Sequence, residues 1–172
     1  MKEKIAVLLA VLDHGWSVVE RLWTDLEARA AVVQPTQDQT VATAYLLHNL
    51  YTALEDLLKQ VARTFENELE EPSRYHAELL SRMALDIYKT RPAFLSAPSL
   101  QALQELRKFR HVFRHAYDFE LDAARVSELT RLASASRAQL EADKSRFRAF
   151  LLQVLEEPPD SPPAAPAAAP VA

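Results

Sequence analysis

Residues 5–33 read IAVLLAVLDHGWSVVERLWTDLEARAAVV, and their spacing sets the fold class. Ile5, Leu9, Leu12, Trp16, Val19, Trp23, Leu26, Ala30 and Val33 step by four and three throughout, which puts them on one stripe of a long amphipathic helix. The rhythm returns downstream. Ala44, Leu47, Tyr51, Leu54, Leu58, Val61 and Phe65 predict a second helix, opened by a capping box in which Thr36 precedes Gln39 by three residues. Leu79, Met83 and Ile87 predict a third, entered after Pro72 and Ser73. Leu103, Leu106, Phe113 and Tyr117 predict a fourth that starts near Pro98 and Ser99. Val126, Leu129, Leu140, Phe147 and Phe150 predict a fifth, running from Asp122 as N-cap to about Leu155. No stretch alternates with period two, so no strand is expected. Five helices with short connections predict an all-α antiparallel bundle.

The first two helices should each reach about 30 residues, or ~45 Å at 1.5 Å per residue, which is long for an isolated domain of this size. A stripe of nine apolar positions can cover both an internal neighbour and a second subunit, so a homodimer is expected. Six of the ten prolines lie between Pro158 and Pro170, mixed with alanine. Such a segment buries too little apolar surface to offset its ordering entropy. Residues 1–156 are therefore expected to form the folded domain, and 157–172 a disordered Pro/Ala-rich tail.

The chain has 172 residues, one Gly, no Cys and a net charge of −4. Average usage would supply about twelve glycines, so Gly-dependent phosphate loops and dinucleotide folds are excluded. The lack of Cys removes disulfides, thiolate zinc sites and cysteine nucleophiles, and fits a cytoplasmic location. The longest apolar run, Ile5 to Leu12, is eight residues, well under the ~20 that a bilayer-spanning helix needs. Asp13, Glu20, Arg21 and Asp25 precede the small residues at 28–30, which argues against a cleaved signal. No cofactor is expected, and the chemistry falls to His, Arg, carboxylates and hydroxyls.

Arg107, Lys108, Phe109, Arg110, His111, Val112, Phe113, Arg114 and His115 carry four permanent positive charges and two of the five His, with no acid among them. In an acidic chain this concentration reads as an anion site, with phosphate the first choice. The competing reading is a solvated face balanced by Asp118, Glu120 and Asp122. His111 and His115 share a face with Asp118 one turn on, the spacing of a two-His-one-carboxylate site. Arg107, Arg110 and Arg114 would repel a dication there, so no metal is expected. His48 and His76 read as helix-surface or hydrogen-bonded core residues. Trp16 and Trp23 read as packing or subunit interface, and Gly15 as a close helix approach or a tolerated defect.

The stretch FRHVFRHAYDFELD, residues 109–122, places His115 after Arg110 and four intervening residues, and Tyr117 two further on. It resembles the Arg-x4-His-x-Tyr motif of the HepT-like branch of the HEPN ribonuclease superfamily. In a chain of this composition the full triplet arises by chance only ~0.01 times. Residues 45–51, the ELLSRM stretch at 78–83 and RPAFLS at 91–96 are similar to the scaffold of that branch, so the resemblance covers most of residues 36–155.

The resemblance implies a metal-independent endoribonuclease, acting as the toxin of a pair whose antitoxin is a small nucleotidyltransferase. Arg110 and His115 match the catalytic pair, and Tyr117 matches the tyrosine that such an antitoxin modifies with adenylate. His111 is a departure, since many members have a small polar residue directly after the motif Arg. A catalytically inactive helical module that binds RNA or a nucleotidyltransferase is the alternative. Cutting RNA without metal requires a base for the 2′-hydroxyl proton and a donor for the charge that grows on phosphorus. His115 is assigned as general base or acid and Arg110 as transition-state stabiliser, with Arg107, Lys108, His111 and Arg114 as RNA contacts. At ~100° per residue Arg110 and His115 point about 140° apart on a regular helix. A cleft shared between two subunits would reconcile their roles.

Overall fold

The computed structural model describes residues 1–30, 32, 34–66, 75–114 and 120–156, with side chains in the third helix from residue 78 onward. Val33, Pro72, Ser73, the side chain of His76, His115, Tyr117, Asp118 and residues 157–172 lie outside the described residues. Among the described residues five helices follow in order: α1 Lys2–Ala30, α2 Gln37–Glu66, α3 Tyr75–Met83, α4 Ala97–Arg114 and α5 Ala123–Glu156. Among the described residues there is no strand, only an isolated bridge between Ile87 and Arg91.

The caps form as their chemistry requires. Thr36 N–H donates to Gln39 Oε1 at 2.9 Å while Gln39 N–H donates back to Thr36 Oγ1 at 3.3 Å, a complete capping box at the start of α2. Asp122 Oδ1 accepts from Ala124 N–H at 2.9 Å and so caps α5. The stripe on α1 needs two corrections. Leu8 is buried in place of Leu9, which packs at the margin, and the buried set ends at Leu26 because Ala30 is exposed. A straight α-helix drifts against a strict 3.5-residue repeat, which moves both ends of a long stripe off the core. The third helix is also shorter than its apolar spacing predicts, since Ile87 lies in the connection beyond it.

α1 packs on α2 and α5, α4 packs on α2 and α5, and α2 meets α5 across the middle. Four long helices thus enclose the core, while α3 lies against α2 and α4. Trp16 and Trp23 are buried inside the chain with ring centroids 5.9 Å apart, so they serve packing. Trp23 Nε1–H donates to the Ala133 carbonyl at 3.1 Å, tying α1 to α5. A Cβ on Gly15 would stand 2.5 Å from Leu57 Cδ2, so this glycine marks the close approach of α1 to α2.

α4 is anchored at its start by a carboxylate from α5. Buried Asp143 accepts from Ser96 N–H at 2.9 Å and Ser96 Oγ–H at 2.8 Å, and pairs with Arg146 at 2.9 Å. Burial by itself would push its carboxyl up. The bonds from Ser96, Ser99 and Arg146 outweigh that and hold it below the ordinary aspartate value. A depressed carboxyl stabilises the fold above the unfolded pKa, about 3.9, and that contribution disappears as pH falls through the folded value. Asp143→Asn should therefore cost about 2 kcal/mol near neutrality, or about 4–8 °C in Tm. The gap between the melting curves of the two proteins should be constant near neutrality and narrow once the pH falls below about 4. A gap that stays constant below that pH would show that the carboxylate charge is not what matters.

Candidate functional site

The apolar rhythm of α4 breaks at one position. Leu103, Leu106, Arg110 and Phe113 step by three, four and three, so Arg110 occupies a place the helical period assigns to the core. Leu103, Leu106 and Phe109 are buried, and Arg110 is half-buried beside them. Arg107 and Arg114 stand one turn either side, at spacings of three and four, so the three guanidinium groups flank one face. The Nε atoms of Arg107 and Arg110 are both buried without a hydrogen-bond partner. No carboxylate forms an ion pair with either residue among the described residues. Cations partly withdrawn from water and not neutralised in this way destabilise a fold, and such arrangements concentrate where an anion is to be bound.

α2 supplies the facing wall. The Arg110 guanidinium carbon lies 6.0 Å from the centre of the Tyr51 ring, a cation–π distance. Tyr51 O–H donates to Glu55 Oε1 at 2.8 Å, and Lys59 Nζ donates to Glu55 Oε2 at 2.9 Å, with Tyr51 and Glu55 both buried. Burial and the Glu55 carboxylate push the Tyr51 phenol far above its ordinary range, so it remains a neutral donor. One turn before Tyr51, the His48 ring lies 5.3 Å from the ring of Phe113. Position 51 opposite 110 and 48 opposite 113 define an antiparallel register between α2 and α4. Burial and the charges of Arg110 and Arg114 push the His48 pKa down against the opposing pull of Glu55, favouring the neutral imidazole.

The basic run is therefore divided by the helix. Arg107, Arg110 and Arg114 border the seam with α2. Lys108 projects elsewhere, exposed and paired at 2.6 Å with Glu105, which also accepts from Arg125 of α5 at 3.0 Å. His111 is exposed on the outer side. Glu120 is exposed, and Asp122 is engaged as the α5 cap. His115 and Tyr117 follow the last described residue of α4 and lie outside the described residues, as does Asp118 of the three-residue metal reading. Among the described residues no three His, Asp or Glu side chains gather as a metal site would require.

A family model described as HepT-like protein matches residues 42–151. The chain belongs to the HepT-like family. The match runs from the first turns of α2 into the last turns of α5 and so contains the whole α2–α4 seam of this HepT-like chain. Comparison with curated proteins and with solved structures finds no match. No helix among the described residues is long and apolar enough to cross a membrane.

Sequence spacing places Arg110 within the HepT-like motif but does not single out its neighbours on α2. Tyr51 reads as an ordinary stripe residue and His48 as a surface or core histidine, and nothing in the spacing draws attention to Glu55. One signal was present: His48, Tyr51 and Glu55 fall at i, i+3 and i+7, so three polar-headed side chains share one flank of an apolar helix.

Proposed function

We propose that the chain is a metal-independent endoribonuclease, the toxin of a HEPN/nucleotidyltransferase pair, which leaves 2′,3′-cyclic phosphate ends. The observation that carries this is Arg110, a cation in a core position, held over Tyr51 and bordered by two further arginines and a half-buried imidazole. Arg110 stabilises the negative charge that builds on phosphorus, and His115 moves a proton. Arg107, Lys108, His111 and Arg114 contact the RNA backbone. Intramolecular attack by a 2′-hydroxyl needs no metal-bound water, and a row of arginines disfavours a dication. The folded domain is 1–156, working in the cytoplasm as a homodimer. Val41, Tyr45 and Val112, which leave apolar surface exposed on α2 and α4 near the seam, support a covered surface there. Tyr117 is the position that the nucleotidyltransferase antitoxin adenylates to silence the enzyme, by placing negative charge where phosphate would bind.

His111 after Arg110 favours a second reading, a non-catalytic module that binds RNA or the nucleotidyltransferase. Purified full-length protein with a mixed-sequence RNA pool in excess chelator separates the two. Cleavage with cyclic phosphate ends is expected. RNA that is bound but left intact would support the module, and 3′-hydroxyl ends would overturn the proposed chemistry.

A further inference from the structure

His48 has the surroundings of a working imidazole. A structural histidine ordinarily satisfies both ring nitrogens, because each buried unpaired polar atom costs about 1–3 kcal/mol. Here Nδ1 is buried and has no hydrogen-bond partner. The ring is only half-buried, and Phe113 packs against it at 5.3 Å. The charged groups that act on it are Arg110 and Arg114 from α4 and Glu55 from α2. His48 is one helical turn from Tyr51, whose ring faces Arg110, so imidazole and guanidinium border the same stretch of seam from opposite walls.

Resting on the nuclease reading above, we propose that His48 accepts the proton of the attacking 2′-hydroxyl, with the ribose lying over the α2 wall and the phosphate over Arg110. The proton passes from O2′ to Nε2 of His48, Nδ1 being buried, the O2′–P bond forms, and the P–O5′ bond breaks. O5′ leaves as a hydroxyl by taking a proton from a general acid, the role then left to His115. The products are a cyclic phosphate and a 5′-hydroxyl, and a proton returns from His48 to solvent. The depressed basicity of His48 suits this work, since the neutral ring persists below pH 7. The requirement for a free 2′-hydroxyl restricts the substrate to RNA, and the reach of the groups favours an unpaired strand.

The test measures kcat and KM against pH on a mixed-sequence oligoribonucleotide for the wild type, His48→Gln, and His48→Ala with and without added imidazole. Expected are a kcat for His48→Gln lower by about 100-fold or more, a KM within about twofold, loss of the acid limb of the profile, and partial recovery of His48→Ala by imidazole. Equal cleavage by wild type and His48→Gln overturns the role of His48 alone. So does a loss of rate that leaves the shape of the pH profile unchanged and is not relieved by imidazole. A wild type that cuts no RNA overturns the nuclease reading itself, and this inference with it.

Discussion

Replacing Arg110 with leucine is expected to slow RNA cleavage by about 10²–10³-fold, equivalent to about 2.7–4 kcal/mol of transition-state stabilisation. The same substitution should leave the melting temperature at or above that of the wild type. Both outcomes follow from one fact, that Arg110 stands where the α4 stripe calls for an apolar side chain and carries a buried, unpartnered Nε. Leucine would continue the stripe of Leu103, Leu106 and Phe113 and remove a poorly solvated charge, worth up to about 1 kcal/mol. His115→Ala should reduce the rate by about 10²–10⁴-fold. The double variant should be scarcely slower than the worse single one, because two groups acting in one transition state are not additive. A variant at 110 that melts earlier yet cuts normally would make Arg110 a structural residue.

Replacing Arg91 with methionine should cost about 3–5 kcal/mol of stability, or about 6–20 °C in Tm. Its side chain is fully buried and pairs with Glu66 at the end of α2, which is itself 4% exposed. Arg91 also donates to the carbonyls of Leu85 at 3.2 Å, Pro92 at 3.1 Å and Arg82 at 3.0 Å. One guanidinium thus closes the connection between α3 and α4, where Lys89 turns the chain through the left-handed region at φ 58°. Methionine would keep the volume but leave the buried Glu66 carboxylate with Arg82 as its one remaining cation and three carbonyls without their donor. In denaturant titrations, adding Glu66→Leu to Arg91→Met should recover part of the loss, because the buried carboxylate, left with Arg82 alone, then disappears. Strict additivity would show that the two side chains act separately. The connection leads into Ser96 and the start of α4, so the pair also sets where the arginine row lies.

Helix identity is legible in the sequence because its causes are local. Apolar spacing of three and four, Thr36 with Gln39, and Asp122 each act within a turn or two of chain. The ends of the α1 stripe are less legible, since the drift between 3.5 and 3.6 residues per turn accumulates only over many turns. Trp16 and Trp23 were ambiguous between core and interface, because periodicity says that a face is covered and not by what. Arg110 was legible as a motif residue. Its support by Tyr51 was not, for the two lie 59 positions apart.

Local chemistry alone settles the five helices of the described residues, where most of them begin, and that α4 carries a basic run. The folded chain alone settles which cations border the seam and which, like Lys108, turn away to pair with Glu105. It also brings Asp143 to Ser96, Glu66 to Arg91, and His48, Tyr51 and Glu55 to the wall facing the arginines. The reason is physical. A helix repeats every 3.6 residues by its own hydrogen bonds, whereas the rotation and register of one helix against another depend on side-chain packing summed over the whole core.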